Sequence, residues 1–582
     1  IGFQSGLTGG LFTEFAFTLA GAVTLSGVVA LTLSPMMCSR MLRVRVPEEE
    51  TRIERMCDAF SRWFDRRRDR YRRRLEHSLD YRPVTYTFAA IILGSIYFLY
   101  VGSTSELAPQ EDQGLLITSS TGAPNATLAQ REPYSRQLYG MVKDLPELDT
   151  FFQIDVPGTS VGGLVLKPWD QRSRSATALQ TAVQAKVSGI AGEQVVVFQP
   201  PTLPGASGLP VQFVITTTAS FEQLDIVSQA LVAAAKKSGM FAYVTSDLKI
   251  DQPQFALNID RDKTAMLGLT MSDVGTALTW MLSGAYVNYF SMDGRSYKVI
   301  PQAGQAFRLN PDALLDYYVR TADGNAVALS TIATLSAQTV PESLNHFGQL
   351  NAATIQGVPV PGIALGDALA SLKNSAVSIL PTGFDVDYGG ASRQYISESQ
   401  GVVAIFAFAL VIIYLALTAQ FESFRDPIII LVSVPMSIAG ALIFINLGLG
   451  GVSLNIYTDV GLVTLMGLIS KHGILIVEFA NALQVQGKTK REAICEAAAT
   501  RLRPIIMTTA AMVLGVVPLL TASGAGAASR FNMGLVIATG ISIGTLFTLY
   551  VLPAVYLLIA ADRRPVAAIV PTGEPERAMG AL

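Results

Sequence analysis

Charge is what this chain has little of. Asp, Glu, Lys and Arg make up 15% of its 582 residues, against about 25% in soluble domains. With 50% hydrophobic residues and a mean hydropathy of +0.39, the composition excludes an ordinary soluble domain and points to the membrane. Cysteine and histidine are scarce, three of each. Three cysteines cannot build a disulfide framework, and His77 and His346 lack companions at metal-ligand spacing. No P-loop, HExxH helix, G-x-S-x-G elbow or calcium-loop spacing occurs. Nothing therefore calls for enzyme chemistry, a metal or an organic cofactor. The net charge of −2 says nothing about partners. The chain opens on Ile1, with no signal-peptide pattern behind it, which is expected of a piece of a longer chain.

What is present is long apolar runs. Seven are long enough to cross a bilayer as helices, at 11–33, 84–101, 401–418, 427–447, 460–480, 504–520 and 533–561, about 20 residues being needed. Arginine orients them. The linker between the first two runs holds RRRDRYRRR, Arg66 to Arg74, and falls on the cytoplasmic side by the positive-inside rule. Orientation, with an amphipathic helix on the membrane carrying Met56, Phe60, Trp63 and Phe64 on one side, explains this run better than a nucleic-acid or lipid-binding patch. The short loop at 421–426, the basic loop at 488–503 and the terminus with Arg563 and Arg564 also fall inside. Cys38, Cys57 and Cys495 then all lie at the cytoplasmic face, away from oxidising conditions.

That topology puts 102–400 outside. The region reads as α+β: a strand at 114–120, helix at 128–142, strands at 150–156 and 164–166, helix at 176–187 and strand at 194–198. The order β-α-β-β-α-β is a ferredoxin-like plan. A second unit starts with a strand at 211–216, helix at 221–237 and strand at 241–246. It is interrupted by an α/β insert at about 252–334, then resumes with strands across 337–355, a helix at 366–373 and a strand at 384–388. The fold class is thus a membrane α-helical bundle of about seven spans plus outer ferredoxin-like α+β subdomains carrying an inserted α/β subdomain. The first and last spans share a glycine-rich outer approach and an inner proline, Pro35 and Pro553, a faint repeat of the kind common in transporters.

The fifth run is the informative one. It carries Lys471 near its middle and Glu478 seven residues later, close to two helical turns, so the charges share a face. A lysine at mid-membrane costs roughly 2.5–3.5 kcal/mol on insertion scales. Such a residue usually faces a bundle interior, pairs with an acid and serves an ion or substrate path. His472 points about 100° away from Lys471 and reads as structural, and Glu478 as an interfacial acid.

Several segments together resemble a known family. LAPQEDQG (107–114), DQPQFALNIDRDKTAMLGLTMSDV (251–274), GAYVNYF (284–290), YYVRTADGNAVAL (317–329), GLISKHGILIVEFAN (467–481) and RLRPIIMTT (501–509) are similar to the C-terminal half of resistance-nodulation-division (RND) efflux pumps of the hydrophobe/amphiphile, multidrug class. The resemblance covers nearly the whole chain. It implies a membrane helix at 1–39 (the family's sixth), an Arg-rich cytoplasmic linker at 40–82, a helix at 83–102 (the seventh), a first porter subdomain at 103–206 and a second at 207–251 and 335–395. A docking subdomain at 252–334, a five-helix bundle at 396–562 (helices eight to twelve) and a cytoplasmic tail at 563–582 complete it. It further implies a Gram-negative inner-membrane homotrimer driven by protons, the proton being the coupling ion in place of any cofactor. Its partners would be a periplasmic adaptor, an outer-membrane channel and amphiphilic small molecules, with no nucleic acid.

The same resemblance assigns a proton relay to Lys471, Arg501 and Thr508. Arg501 and Thr508 are seven apart and so also share a helix face. The relay's aspartate pair would come from the pump's N-terminal half, since no span here has two adjacent acids. Phe152 and Ile154 fall on the strand that lines the family's deep drug pocket, a core aromatic being the alternative for Phe152. The aromatic switch loop that should follow is replaced by a short PGTSVGG, Pro157 to Gly163, which puts the usual aromatic trap in doubt. The alternatives are an RND exporter of metals, lipids or other non-drug substrates, and a non-transporting periplasmic docking scaffold. Glu14 and scattered methionines do not form a metal exporter's set, and a scaffold has no use for Lys471.

Overall fold

The structure is a computed structural model that describes residues 6–41, 52–156, 158–282 and 284–564, without the side chains of 7, 8, 52–57 and 400. The readings that fall on 1–5, the linker at 42–51, Met56, Cys57, Pro157 and the tail beyond Arg564 lie outside the described residues.

Among the described residues seven helices are long and apolar enough to span a membrane. The first is α1 (Gly6–Met41). It is followed by the Arg-rich α2 (Arg52–Asp80) and by α3 (Arg82–Val101). Then, after the outer region, come α11 (Gly390–Phe421), the pair α12 (Arg425–Leu431) and α13 (Ser433–Asn446), α14 (Ile456–Val485), α15 (Lys490–Leu520) and α16 (Ala527–Ile559). The expected spans are all present and longer than their apolar runs. The basic stretch at 488–503 is not a loop. Thr489 caps α15 in a reciprocal box with Glu492, which starts the helix at Lys490. The span at 427–447 is divided at Val432 into α12 and α13.

The bundle's core is α12–α13, α14 and α16. In each, 61% of the most apolar stretch is buried, against 17% or less in the other four spans. Small residues let these helices touch. An added Cβ at Gly440 of α13 would lie 2.6 Å from Ile543 Cβ of α16, and one at Gly544 of α16 would lie 2.7 Å from Ser437. Ser437 Oγ donates to the Gly540 carbonyl at 2.7 Å. At the end of the bundle near Asp426 a polar network replaces packing. Asp426, 1% exposed, accepts from Arg563 Nη2 at 2.5 Å and Asn481 Nδ2 at 3.1 Å. Tyr556 Oη donates to Asn481 Oδ1 at 2.7 Å.

The outer region holds two α+β units. The first runs β1 (Leu115–Thr121), α4 (Leu128–Val142), β2 (Leu148–Asp155), β3 (Thr159–Leu166), α5 (Ala176–Val187) and β4 (Gln194–Phe198). Its sheet is antiparallel in the order β2-β3-β1-β4. The second begins with β5 (Val211–Thr217), α6 (Phe221–Lys237) and β6 (Phe241–Ser246). The strands β7 (Gln252–Ile259) and β12 (Ala333–Val340) pair with each other and close off the insert. Within it lie α7 (Arg261–Met266), α8 (Met271–Leu282), β8 (Asn288–Met292), β9 (Arg295–Val299), β10 (Tyr318–Arg320), β11 (Ala326–Ala328) and α9 (Leu329–Ile332). The unit ends with β13 (Asn345–Phe347), β14 (Leu350–Pro359), α10 (Leu365–Ile379) and β15 (Phe384–Tyr388). Its strand order is β13-β14-β5-β15, with β6 also on β14.

One expectation is corrected here. Most of PGTSVGG is not a loop but the first part of β3, hairpin-paired with β2 from Asp155↔Ser160 to Phe152↔Gly163. The glycines serve close approach. A Cβ at Gly163 would meet the Phe152 ring at 2.2 Å, and one at Gly162 would meet Thr118 Oγ1 at 2.5 Å.

Candidate functional site

On α14 most side chains between Ile456 and Gln484 are buried, but Gly467, Lys471, Glu478, Ala482 and Val485 form an exposed stripe. Lys471 thus lies mid-helix on an open side of the bundle. It makes no hydrogen bond or ion pair to any described residue. Asn455 starts the helix with a capping box to Thr458, which fixes the register that puts Lys471 on this face.

Beside it, α15 carries Arg501 and Thr508, both half-buried. The Arg501 guanidinium sits 4.6 Å from the centroid of the α14 ring Phe479, and its buried Nε has no acceptor among the described residues. Thr508 Oγ1 donates within its own helix, to the carbonyls of Pro504 and Ile505 at 3.0 Å. Such back-bonding bends a helix, here where Pro504 already removes a backbone donor. No hydrogen bond joins Lys471, Arg501 and Thr508. They share two packed helices, not a contact.

The buried side of α14 holds a polar cluster that the sequence did not disclose. His472 is completely buried. Its Nδ1 lies 3.3 Å from Thr545 Oγ1 of α16, and its Nε2 3.5 Å from Thr509 Oγ1 of α15. The two hydroxyls are 3.2 Å apart. Each hydroxyl also donates to its own helix, Thr509 to the Ile505 carbonyl at 2.9 Å and Thr545 to the Ile541 carbonyl at 2.7 Å, so the ring shares them with the backbone. The signal was the pair of threonines at 508 and 509, of which only the first was singled out. Glu478 is exposed.

A second site element joins the bundle to the first α+β unit. The segment from Thr104 to Asp112 is strapped along the outer helix ends. The Leu454 amide donates to the Thr104 carbonyl at 2.8 Å, and the Glu106 amide to the Leu454 carbonyl at 2.9 Å. Ser453 Oγ donates to the Glu106 carboxylate. Glu111 accepts from Ser529 N at 2.7 Å and Ala528 N at 3.3 Å, a carboxylate held at the positive amino end of α16. Burial pushes the Glu106 carboxyl up to about 7, against the opposing Ser453 hydroxyl and helped by the charge of Asp367.

Phe152 and Ile154 lie side by side on the open face of the edge strand β2, 45% and 59% exposed. Phe152 is therefore not a core aromatic, and the core position is taken by Phe151, which packs under the sheet. Val161, 42% exposed, adjoins them on β3, where it pairs with Ile154. At the other edge of the sheet Val196 and Phe198 of β4, with Ile117 of β1, pack against Val358, Leu209 and Tyr243 of the second unit.

Residues 1–560 match the profile of the AcrB/AcrD/AcrF family. An uncharacterized transporter of Haemophilus influenzae is 41% identical over 97% of this chain and 55% of its own length. The multidrug/solvent efflux pump membrane transporter MepB of Pseudomonas putida is 32% identical over 96% of this chain and 54% of its own. The multidrug resistance protein MdtF of Escherichia coli O157:H7 is 29% identical over 96% and 55%. The chain spans about half the length of these relatives. With a profile match over nearly every residue, and the seven spans and outer α+β units in place, the chain belongs to the AcrB/AcrD/AcrF family of RND efflux transporters.

Proposed function

We propose that this chain is the C-terminal half of a proton-driven inner-membrane exporter of amphiphilic compounds, a drug/proton antiporter. The observation that carries the reading is Lys471, an amine at mid-span on an open bundle face without a partner among the described residues. A charge at that depth is costly and is retained for transport. In this reading an N-terminal half supplies two aspartates opposite Lys471. Protonation of one weakens their attraction for the ammonium, and helix packing shifts between two states. Arg501, whose Nε lacks an acceptor among the described residues, guards the inner exit, and Thr508 holds a carboxylate or water wire once turned from its own helix. The strap from Thr104 to Asp112 carries the movement of α14 and α16 to the first unit.

The two α+β units are read as ferredoxin-like porter subdomains and the insert as a docking subdomain, with Phe152 and Ile154 lining the drug path. The assembly would be a homotrimer, completed by a periplasmic adaptor and an outer-membrane channel. The test is Lys471→Ala in the complete transporter. Drug resistance is expected to be lost while the protein's amount in the membrane stays unchanged, and Glu478→Gln is expected to retain resistance. Undiminished resistance with Lys471→Ala rules the relay out.

A further inference from the structure

The charges of α2 are sorted. On a helix of about 100° per residue, Phe60, Trp63, Arg67, Arg70 and Arg74 fall within about 80° of one another, along one margin of the buried stripe formed by Phe64, Tyr71, Leu75 and Leu79. The described acids of α2, Asp58, Asp65, Asp69, Glu76 and Asp80, fall roughly 150° away. There Asp65 and Asp69 hold Arg68, Glu76 holds Arg72 and Asp80 holds Arg491. On the first flank Arg67, Arg70 and Arg74 are exposed and have no carboxylate partner among the described residues. Phe60 and Trp63 are 55% and 46% exposed and stacked at 5.8 Å, with the Arg67 guanidinium 5.2 Å from the Trp63 ring. The helix is fixed in this rotation. Tyr71 Oη donates to the Leu549 carbonyl of α16 at 2.6 Å, and Arg503 of α15 covers Phe64.

Orientation alone needs positive charge on the cytoplasmic side. It does not need the acids swept to one flank and the aromatics to the other. Aromatic rings seek the headgroup level of a bilayer, and unpaired arginines beside them match phosphate. We infer that the flank of α2 bearing Phe60, Trp63, Arg67, Arg70 and Arg74 is a docking surface for anionic phospholipid headgroups of the cytoplasmic leaflet. The rings sit among the acyl-chain ends while the three guanidiniums hold the phosphates. The opposite, charge-balanced flank faces water.

The test places a benzophenone amino acid at position 63 of the complete transporter, in vesicles of three parts phosphatidylcholine to one part phosphatidylglycerol. After illumination, lipid adducts are read by mass. Phosphatidylglycerol adducts should exceed their share of the bilayer by about fivefold or more, the effect expected of one arginine or more at a charged surface. Arg67→Gln/Arg70→Gln/Arg74→Gln should return them to that share. The control Arg62→Gln/Arg66→Gln/Arg73→Gln, on the acid-bearing side, should keep the enrichment, with equal gel-filtration profiles showing that all variants fold. Adducts at the bulk ratio in the unaltered chain, enrichment that survives in the first triple variant, or cross-links to protein or RNA in place of lipid would each overturn the proposal.

Discussion

Lys471 was legible at the scale of single residues because its signal is one-dimensional: a cation inside an apolar run is visible without knowing what packs where. Arg501 and Thr508 were singled out by the family resemblance, and their spacing added only that they share a helix face. His472 was not legible in this way. Its two hydroxyl partners come from α15 and α16, 37 and 73 residues away, so its surroundings exist only after three helices pack. Phe152 and Phe151 are adjacent in sequence and alternate in fate, one on the open face and one in the core. The strand period of two separates them only once it is known which face is covered.

Glu106 yields a pH prediction. Its carboxyl is raised from 4.5 to about 7 in the folded chain. Between these values the folded state keeps a proton that the unfolded state gives up. Stability contributed by the group is therefore full below about 4.5 and falls as pH rises towards about 7, by at most about 3 kcal/mol. Glu106→Gln should remove this slope. Melting temperatures in detergent, compared between pH 5 and 7, are expected to fall for the unaltered protein and to stay flatter for the variant. Parallel curves would contradict the assignment.

At the scale of elements, hydropathy located every span, but their ends lay beyond it. α11 begins at Gly390 and α15 at Lys490, because a helix continues through polar residues as long as its caps allow, and only the apolar part is visible to hydropathy. PGTSVGG read as a loop because glycine breaks regular structure in isolation. In the sheet, the same glycines make room for Phe152 and Thr118, so packing overrides local preference. The small residues of the α13–α16 crossing act in the same way, and there the cost of adding volume is testable. Gly440→Ala puts a methyl group against the Ile543 β-carbon, which cannot swing aside. A loss of about 1–3 kcal/mol is expected, seen as a lower melting temperature. Gly440→Ala with Ile543→Ala should recover little of it, since alanine keeps the β-carbon that the new methyl group meets at 2.6 Å. Full recovery would mean that the Ile543 γ-carbons, not its β-carbon, set the crossing.

At the scale of the whole molecule, the chain's architecture divides into a bundle, two α+β units and an insert, joined through the strap from Thr104 to Asp112. The order of its spans, strands and helices was readable from hydropathy and residue pattern. The strap was not, because its hydrogen bonds link 104–107 to 454–456 and Glu111 to Ser529, pairings without a local sequence mark. The chain spans about half the length of its relatives, and the open stripe of α14 with Lys471 at its centre is where the proposed coupling would be completed.

The most direct measurement is proton movement itself. The complete transporter, reconstituted in vesicles with an imposed pH gradient, is given an amphiphilic dye, and the gradient is followed with a pH-sensitive fluorophore. Addition of dye is expected to drain the gradient with the unaltered protein and to leave it standing with Lys471→Ala. Drainage at the unaltered rate by Lys471→Ala would contradict the assignment of this amine to the coupling of protons and export.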